Sequence, residues 1–276
     1  MKLSFSTLPC EGWSVEKLID CCKRHGFAGI EMKVDEGFAI APDSTESEIR
    51  SAAREFQAAG IAVTNVGASV VLSGIGEEEP ARKLLARHIH IAEGLGARGV
   101  RVFLGTFFKR VSERNPVHDR AGIIRHVREA CDAARERGIE VWIETHNEFS
   151  TGQVLQGLLE DIDRPNCRII YDVIHPREFG EQPEETLHLI GPSIAHVHMK
   201  DGVPFEDPAM HEWKYTLTGE GQLPLRNTVA ALKARGYEGW YSLEWETKWR
   251  PELQRLELDL DAVFTSYVKL MKELDR

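Results

Sequence analysis

Two patterns of apolar and polar residues alternate along almost the whole chain. Short segments rich in β-branched and aromatic residues predict eight strands, which span residues 3–7, 28–33, 61–66, 99–104, 139–144, 168–172, 194–199 and 239–244. Between most of them, apolar residues recur three and four positions apart, which is the spacing of an amphipathic helix. The first such segment places on one face Val15, Leu18, Ile19 and Cys22. The chain is therefore predicted to alternate between strands and helices.

Residues that begin or end helices occupy the positions that this alternation requires. Thr45 and Glu48 are spaced as a capping box, and Ser14 is a candidate N-cap for the first helical segment. Glycines separate helical segments from the following strands, where a left-handed C-terminal cap belongs, at Gly26, Gly60, Gly96 and Gly138. Because no linker, low-complexity run or change in composition interrupts the pattern, we predict a single domain over residues 1–276.

Eight strands joined by mostly helical connections predict parallel pairing, because each crossover returns the chain to the same edge of the sheet. An open doubly wound sheet and a closed barrel both satisfy this pattern. The turn after the first strand, PCEGWS at residues 9–14, lacks the GxGxxG sequence of dinucleotide-binding sheets. Eight strand–helix units in about 250 residues match a closed barrel. We therefore predict an α/β fold of the (β/α)8 TIM barrel type.

The composition fits a globular chain and argues against charged macromolecular partners. Of 276 residues, 42% are apolar, and 44 acidic against 34 basic side chains give a formal charge of −10. Nucleic acids and anionic membranes are normally bound by a basic surface, so we expect neither as a partner. No run of about 18 apolar residues predicts a transmembrane helix, and the N-terminal segment is a poor signal peptide. Five cysteines without a CxxC pair suit reduced thiols, so we predict a cytoplasmic protein.

Polar residues at the carboxyl ends of the last four predicted strands are candidates for chemistry, since TIM barrels place their active sites there. Side chains alternate along a strand, so residues two apart share a face. The polar residues that face away from their apolar, helix-facing neighbours at these ends are Glu144, Asp172, His196, His198, Lys200 and Glu244. The four strands are thus predicted to bring two glutamates, an aspartate and a histidine to one rim of the barrel.

Three carboxylates in a narrow mouth repel one another, and removing their charges from water is costly. One divalent cation offsets both effects. Imidazole beside carboxylates suits a borderline ion such as Mn²⁺, Co²⁺ or Zn²⁺, and Mg²⁺ is compatible with the oxygen ligands. We therefore predict one bound divalent metal ion, with a hydrogen-bonded polar rim as the alternative. Spacing alone does not choose between His196 and His198 as the nitrogen ligand.

Five segments, taken in chain order, resemble the sugar phosphate isomerase/epimerase group of xylose isomerase-like TIM barrels. They are GIEMK at 29–33, VWIETHN at 141–147, YDVIH at 171–175, HVHMKD at 196–201 and YSLEW at 241–245. The resemblance spans nearly the whole chain, and the ordered set is more specific than any single segment. The group includes ketose 3-epimerases, hydroxypyruvate isomerases and enzymes of inositol catabolism. The resemblance therefore implies a metal-dependent isomerase or epimerase of carbohydrate metabolism.

The resemblance also implies roles for single residues. The residues that it assigns to the metal are Glu144, Asp172, His198 and Glu244. It implies that His175, the histidine of YDVIH, contacts substrate hydroxyl groups. In ketose 3-epimerases an arginine stands six residues after the histidine ligand, whereas this chain has Pro204 there. The departure argues against a free ketohexose as the specific substrate.

An enzyme of this kind removes a proton from the carbon next to a carbonyl group, which leaves an enediolate with negative charge on oxygen. A metal ion beside that oxygen stabilises the charge as a Lewis acid. We predict that Glu144 and Glu244 flank the carbon, one removing the proton and the other returning it. Return to the opposite face gives an epimerase, and return to the neighbouring carbon gives an isomerase. The expected substrate is a sugar, a sugar phosphate or a small hydroxy-keto compound.

Further residues near these strand ends are candidates for substrate binding. His146 lies two residues beyond the glutamate of the fifth strand, and Arg177 is suited to clamping a carboxylate or phosphate. Lys200 is expected either to pair with Asp201 or to neutralise an enolate oxygen. Glu31, at the end of the second strand, either lines the mouth or belongs to a buried ion pair.

Three other functions are compatible with parts of this pattern. A lyase that dehydrates a keto-inositol, as an inosose dehydratase does, would use the same metal site, because enolisation also precedes loss of a β-hydroxyl group. A DNA-repair endonuclease shares the barrel, but it would need several metals, more histidine ligands and a basic face. A non-enzymatic sugar-binding barrel would retain its ligand after removal of the metal.

Two long connections and two tryptophans bear on how the surface is used. The connections 67–80 and 202–217 are candidate lids, since long loops in compact domains are often functional. Trp245 and Trp249 are expected to be exposed, which makes them candidate interface residues of a homodimer. The expected partners are therefore a small carbohydrate substrate and a second copy of the chain.

Overall fold

Strands and helices alternate along residues 1–72, 78–114 and 119–276, which the computed structural model describes. The strands are β1 (Lys2–Ser6), β2 (Gly29–Lys33), β3 (Ala62–Gly67), β4 (Gly99–Val102), β5 (Glu140–Glu144), β6 (Cys167–Asp172), β7 (Ile194–Met199), β8 (Asp201–Pro204), β9 (Trp213–Thr216) and β10 (Trp240–Leu243). The α-helices are α1 (Val15–His25), α2 (Glu46–Ala59), α3 (Glu78–Leu95), α4 (Arg120–Arg135), α5 (Gly152–Ile162), α6 (His175–Glu178), α7 (Pro183–Ile190), α8 (Leu225–Ala234), α9 (Pro251–Gln254) and α10 (Leu260–Leu274). Short 3-10 helices lie within connections at Val111–Glu113, Asn147–Phe149 and Gly191–Ser193.

Eight of the described strands are parallel and close into a barrel in the order β1-β10-β7-β6-β5-β4-β3-β2. The pairing of β1 with β10, in which Phe5 lies opposite Leu243, closes the ring. Helices return the chain from the end of one strand to the start of the next, as crossovers between parallel strands require. The predicted (β/α)8 fold is confirmed, and each barrel strand overlaps the segment that predicted it. The extent of the domain, residues 1–276, stays a prediction.

The ends of the helices confirm the local signals in the sequence. Thr45 Oγ1 accepts a hydrogen bond from Glu48 N (3.3 Å), and Glu48 Oε2 accepts one from Thr45 N (2.7 Å), so α2 begins with a complete capping box. The Ser14 hydroxyl accepts a hydrogen bond from Lys17 N at the start of α1. Gly26 ends that helix with a φ of 82°, a left-handed conformation that favours glycine. These residues fix where each helix turns back toward the barrel.

The interior of the barrel contains a small apolar cluster below the charged groups at the carboxyl ends of the strands. An apolar cluster inside the ring consists of Trp142, Ile170 and Ala195. Trp142 stacks on His196, with 5.6 Å between the ring centroids. Closer to the mouth, Asp172 of β6 lies opposite His198 of β7. Because side chains alternate along each strand, the same strands that fill the bottom of the barrel also carry polar groups to its mouth.

The connection at 202–217, a candidate lid, contains a hairpin that the sequence pattern did not predict, because β8 and β9 pair antiparallel. Its loop also pairs with the connection that follows β4. There Val111 N donates to Ala209 O (3.0 Å), and His211 N donates to Lys109 O (2.8 Å). The two connections therefore form one cover on the same side of the barrel mouth.

The expectation that Trp245 is exposed is wrong. Only 3% of Trp245 is exposed, and its ring packs in the main apolar core between the strands and the helices. The physical reason is alternation, because Trp245 follows a glutamate that points into the barrel and therefore points outward beneath the helices. Trp249 is 45% exposed, as expected.

Three other expectations concern the membrane, the cysteines and the remaining lid. In the described part of the chain, no helix combines the length and the apolar character needed to cross a membrane. All five cysteines are buried and carry free thiols, as expected. The other candidate lid, 67–80, includes residues 73–77, which lie outside the described residues.

The carboxylate of Asp201 holds the turn that precedes α8. It accepts hydrogen bonds of 2.8 to 3.1 Å from the backbone N–H groups of Gly202, Gly219, Gly221 and Leu223. Gly221 passes so close to this carboxylate that any side chain on it would collide. The two glycines of the segment TGEGQLP at 218–224 therefore allow the backbone to wrap around a buried acid.

Replacing this acid should destabilise the protein. In Asp201→Ala the N–H donors lose their acceptor, and we expect the free energy of unfolding to fall by about 3 kcal/mol, since each unsatisfied buried group costs about 1–3 kcal/mol. Asp201→Asn keeps one accepting oxygen and should lose less. Urea unfolding followed by circular dichroism measures both variants. Equal stability of Asp201→Ala and the wild type would show that the carboxylate does not hold the turn.

Candidate metal centre

The structure brings together the four residues that the resemblance assigned to a metal. Each lies at the carboxyl end of a barrel strand or directly after it, on β5, β6, β7 and β10. The group consists of Glu144, Asp172, His198 and Glu244, and one nitrogen or oxygen atom of each lies within 4.8 Å of the others. All four side chains are buried, with at most 4% of any residue exposed. The alternation rule therefore placed these side chains on the correct face.

The imidazole of His198 points one nitrogen at the three carboxylates. Its Nδ1 lies 3.2 Å from Glu244 Oε2, 3.4 Å from Glu144 Oε1 and 3.8 Å from Asp172 Oδ2. Among the described residues, Nδ1 has no hydrogen-bond partner. A buried nitrogen without a partner is unfavourable on its own. Together with the three carboxylates that it faces, it forms the set of ligands that a borderline divalent ion prefers, so these residues fit a metal.

The two glutamates of this group differ in their affinity for a proton. Burial raises the pKa of Glu144 above its ordinary value, and the negative charge of Glu244 raises it further. Burial also favours the neutral form of Glu244, but His198 and Lys200 lower its pKa well below the ordinary value. Two neighbouring carboxyl groups with different pKa values can serve as an acid and a base in the same reaction.

Lys200 is the cation that lies closest to this group. Its Nζ lies 2.6 Å from Glu244 Oε2, 2.6 Å from Glu246 Oε1 and 2.7 Å from Asp172 Oδ2. Burial lowers the pKa of Lys200, but the charges of Asp172, Glu244 and Glu246 raise it well above its usual value. The pairing with Asp201 that the sequence left open does not form, since Asp201 is bound by backbone N–H groups. Lys200 is instead a permanent charge within the site.

Arg101 is a residue of the site that the sequence analysis missed. Its Nη1 lies 3.0 Å from Glu144 Oε2, 3.0 Å from Glu244 Oε1 and 3.6 Å from Glu31 Oε1. The guanidinium therefore contacts both glutamates on the oxygens that do not face His198. The sequence did contain a sign of this role. Side chains alternate along VRVFL at 100–104, so Arg101 points into the barrel while Val100 and Val102 point outward.

Glu31 lies inside the barrel, is completely buried and belongs to a group of buried ionic contacts, which is the second of the alternatives left by the sequence. Its Oε2 lies 2.7 Å from His198 Nε2 and 3.4 Å from His196 Nε2. His196 thus faces Glu31, whereas His198 faces both Glu31 and the acids of the candidate metal site. Although burial raises the pKa of Glu31, the two histidines and Arg101 lower it well below the ordinary value.

His146 and His175, two further predicted site residues, lie side by side next to the candidate metal ligands. The centroids of their rings are 4.1 Å apart, and His175 Nδ1 is 2.8 Å from Glu178 Oε2. Burial lowers the pKa of His175, but Asp172 and Glu178 raise it to about 9. Burial and the neighbouring His175 hold the pKa of His146 well below its usual value. The pair therefore offers one charged and one neutral ring.

Arg177 does not join this group. Its Nη1 donates to the backbone oxygens of Glu181 (3.1 Å) and Gly180 (3.4 Å). Its guanidinium also lies 5.9 Å from the centre of the Trp213 ring. The structure thus uses Arg177 to hold the connection between α6 and α7.

A cavity of about 550 Å³ opens over the two glutamates. Its polar lining includes Arg101, His146, Glu212, Glu246 and Arg250. Its apolar lining consists of Leu8, Phe103, Phe107, Phe108 and Trp249. A cavity of this size, lined by both polar groups and aromatic rings, suits a small organic molecule.

Comparison with known proteins agrees with this architecture. A family model described as a xylose isomerase-like TIM barrel matches residues 19–263. The inosose dehydratase of Geobacillus thermodenitrificans (strain NG80-2) is 28% identical over 128 residues, which cover 42% of this chain and 43% of that relative. The chain spans less than half the length of the curated relatives that it matches.

Solved structures match over almost the whole length. The crystal structure of IOLI protein with a bound zinc atom has a TM-score of 0.79 at 20% identity, covering 99% of this chain and 98% of that one. D-psicose 3-epimerase from Clostridium cellulolyticum H10, determined with D-tagatose, has a TM-score of 0.79 at 16% identity, with coverage of 99% and 98%. At these identities the likeness shows a common fold.

The geometry predicts one metal site of measurable affinity. After chelation and dialysis, the protein should bind about one equivalent of Mn²⁺, Co²⁺ or Zn²⁺ in isothermal titration calorimetry. Asp172→Asn should weaken this binding by more than about 100-fold. Replacing a residue that only contacts a metal ligand typically lowers metal affinity about 10–100-fold, and loss of a ligand should lower it more.

The matched control is Glu212→Gln, which neutralises a carboxylate in the same cavity that is bound to Arg250 rather than directed at His198. It should keep both the stoichiometry and the affinity of the wild type. A wild-type protein that binds no divalent ion would contradict the prediction, as would an unchanged affinity of Asp172→Asn.

Proposed function

The chain belongs to the family of xylose isomerase-like TIM barrels, and on that premise we propose that it is a divalent-metal-dependent isomerase or epimerase. Its substrate would be a sugar, a sugar phosphate or a small hydroxy-keto compound. The observation that carries the proposal is the pair of buried glutamates, Glu144 and Glu244, that both face Nδ1 of His198 and have pKa values shifted in opposite directions.

Four side chains would hold the metal ion, and they are Glu144, Asp172, His198 and Glu244. When bound, a divalent ion supplies a Lewis acid that stabilises negative charge on an oxygen of the substrate. One nitrogen and three carboxylate donors suit Mn²⁺, Co²⁺ or Zn²⁺, and Mg²⁺ is compatible with the oxygens. The zinc atom in the IOLI structure, which has the same fold, supports this assignment.

The two glutamates would move the proton. Glu244 is held ionised by His198 and Lys200, so it is suited to accept a proton from the carbon next to the carbonyl. Glu144, whose pKa is raised by burial, is suited to hold a proton and return it. Delivery to the opposite face of the same carbon inverts that carbon. Delivery to the neighbouring carbon exchanges an aldose with a ketose.

Two cations would keep the acids in place during this transfer. Lys200 contacts Glu244 on the oxygen that faces His198, and Arg101 contacts the other oxygen. Each carboxylate oxygen of Glu244 therefore has a charged partner, which limits rotation of the group. Fixed partners of this kind place a base without reorganisation at the moment of reaction.

The histidine pair and the cavity would bind the substrate. His175 Nε2 has no hydrogen-bond partner among the described residues, so it can donate to a substrate hydroxyl group. His146 lines the cavity and is kept neutral by burial, so it can bond a hydroxyl group without adding charge. Phe103 and Phe107, which pack edge to face against the ring of His146, supply an apolar surface for the C–H face of a sugar.

A dehydratase is the second candidate, and the inosose dehydratase from Geobacillus thermodenitrificans favours it. The first step would be the same removal of a proton next to a carbonyl by Glu244. The hydroxyl group on the β carbon would then leave with a proton as water, and a carbon–carbon double bond would form. The lyase product absorbs ultraviolet light because its double bond is conjugated with the carbonyl group, whereas an epimer or an isomer does not.

Proton exchange tests the role of Glu244. In D₂O, the metal-loaded enzyme should replace the α-proton of a ketose or hydroxy-ketone from a small panel, as measured by NMR. Glu244→Gln should lower the exchange rate at least about 100-fold, since general bases contribute 10²–10⁴-fold. Ultraviolet absorbance recorded on the same samples separates the lyase from the isomerase and the epimerase.

The control is Glu160→Gln, an isosteric change at an exposed position on α5, which should exchange at the wild-type rate. Normal exchange in Glu244→Gln would show that Glu244 is not the base. Absence of exchange for every compound, with the metal bound, would remove the proposed chemistry and leave only the fold.

A further inference from the structure

Glu31 contributes a carboxylate to the centre of the barrel from a strand that carries none of the proposed metal ligands. It lies on β2, is completely buried, and its Oε2 lies 2.7 Å from Nε2 of His198. The two residues are 167 positions apart in the chain and face each other across the interior of the barrel. This contact is separate from those of Glu144, Asp172 and Glu244, all of which lie nearest to the opposite nitrogen, Nδ1.

The contact determines which nitrogen of His198 carries the hydrogen. An ionised carboxylate can only accept hydrogen bonds, so the nitrogen that faces Glu31 must be the N–H donor. In the neutral ring the hydrogen is then on Nε2, and Nδ1 presents a lone pair. That lone pair points at the three acids of the candidate metal site. The opposite tautomer would direct an N–H group at the position of the metal.

We propose that Glu31 is a positioning residue, which fixes the tautomer and the ring orientation of His198 and thereby sets the affinity for the metal. The inference rests on the proposed function in so far as that function includes the metal site. Outer carboxylates of this kind also increase the basicity of the histidine ligand, and their loss typically costs 10–100-fold in metal affinity.

Arg101 places a positive charge near the other oxygen of the same carboxylate, without a hydrogen bond to it. Its Nη1 lies 3.6 Å from Glu31 Oε1, and it also contacts Glu144 and Glu244 at 3.0 Å. The carboxylate of Glu31 therefore has a cation on one side and an imidazole on the other. The hydrogen bond to His198 directs Oε2, and the charge of Arg101 lowers the cost of burying the acid on β2.

A second use of the same residues has to be separated from this one. Glu31, His196 and His198 together could hold a metal ion of their own, since one donor atom of each lies within 4.8 Å of the others. In that arrangement Nε2 of His198 would bind an ion and would carry no hydrogen. Two measurements, the tautomer of His198 and the number of ions bound, distinguish the two arrangements.

The first experiment measures the tautomer in the wild-type protein loaded with Zn²⁺. Long-range ¹H–¹⁵N correlation NMR on protein with ¹⁵N-labelled histidine identifies the protonated ring nitrogen, and the signal of His198 is assigned by its loss in His198→Gln. We expect a hydrogen on Nε2. A hydrogen on Nδ1, or the absence of hydrogen from both nitrogens, would overturn the proposal.

The second experiment measures metal affinity with Zn²⁺ and Co²⁺ in competition with a chelator. Glu31→Gln keeps the shape of the side chain but removes its charge, and we expect 10–100-fold weaker binding with an altered visible spectrum of bound Co²⁺. The matched control is Glu181→Gln, which neutralises a glutamate that binds backbone N–H groups of α5, outside the barrel. It should leave the affinity and the spectrum unchanged.

The outcomes separate this inference from the proposed function. If the wild type binds about one ion and Glu31→Gln binds it equally well, Glu31 does not position the ligand although the metal site stands. If the wild type binds no ion, the metal site itself is wrong. Two ions per chain, with Glu31→Gln losing one, would assign Glu31 as a ligand and overturn its role as a positioning residue. Should Glu31→Gln fail to fold, Glu31→Asp, whose shorter side chain draws the acceptor away from Nε2, takes its place in the same titration; weaker binding is expected, and an affinity equal to that of the wild type would overturn the proposal.

Discussion

The mouth of the barrel concentrates acidic side chains that are almost completely buried. Five acids lie together there, namely Glu31, Glu144, Asp172, Glu244 and Glu246, and the charged side chains that contact them include Arg101, Lys200 and Arg250. Removing an ion from water costs several kcal/mol, so such a group is stable only when every charge has close partners. Nδ1 of His198, which has no hydrogen-bond partner among the described residues, faces three of these acids, and a divalent ion would complete that arrangement. Structure and chemistry at this site therefore follow from one electrostatic requirement.

The barrel meets this requirement through its register. Parallel strands end at the same level, so Asp172 lies opposite His198 in one pair, and Ser242 lies opposite His198 in another. Glu144 ends the neighbouring strand, and Glu244 directly follows β10. The apolar cluster around Trp142 closes the interior below them, which keeps the local dielectric low and makes each ionic contact stronger. The lower half of the barrel thus contributes to the electrostatics of the upper half.

Proteins with this fold carry out more than one reaction, as the inosose dehydratase relative and the D-psicose 3-epimerase structure indicate. Removal of a proton next to a carbonyl group is the step that the proposed isomerase, epimerase and dehydratase reactions would share. What differs between such enzymes is what surrounds the substrate, and that part is built from connections rather than from strands. Here the surroundings include the hairpin of β8 and β9 and the aromatic residues that line the cavity, such as Phe107. If the proposed function holds, this cover would determine the choice between an isomerase, an epimerase and a dehydratase.

The sequence by itself determined the strands, the helices and the closed barrel, because these depend on local periodicity and on caps such as Thr45 and Gly26. It also predicted that Glu144, Asp172 and Glu244 reach one rim, since alternation along a strand needs only neighbouring residues. Only the tertiary structure decided which atoms meet across the barrel. Arg101 contacts Glu244 over 143 positions of chain, and Glu31 contacts His198 over 167. Such contacts depend on the closure of the ring and on side-chain rotamers, and no spacing in the sequence encodes either.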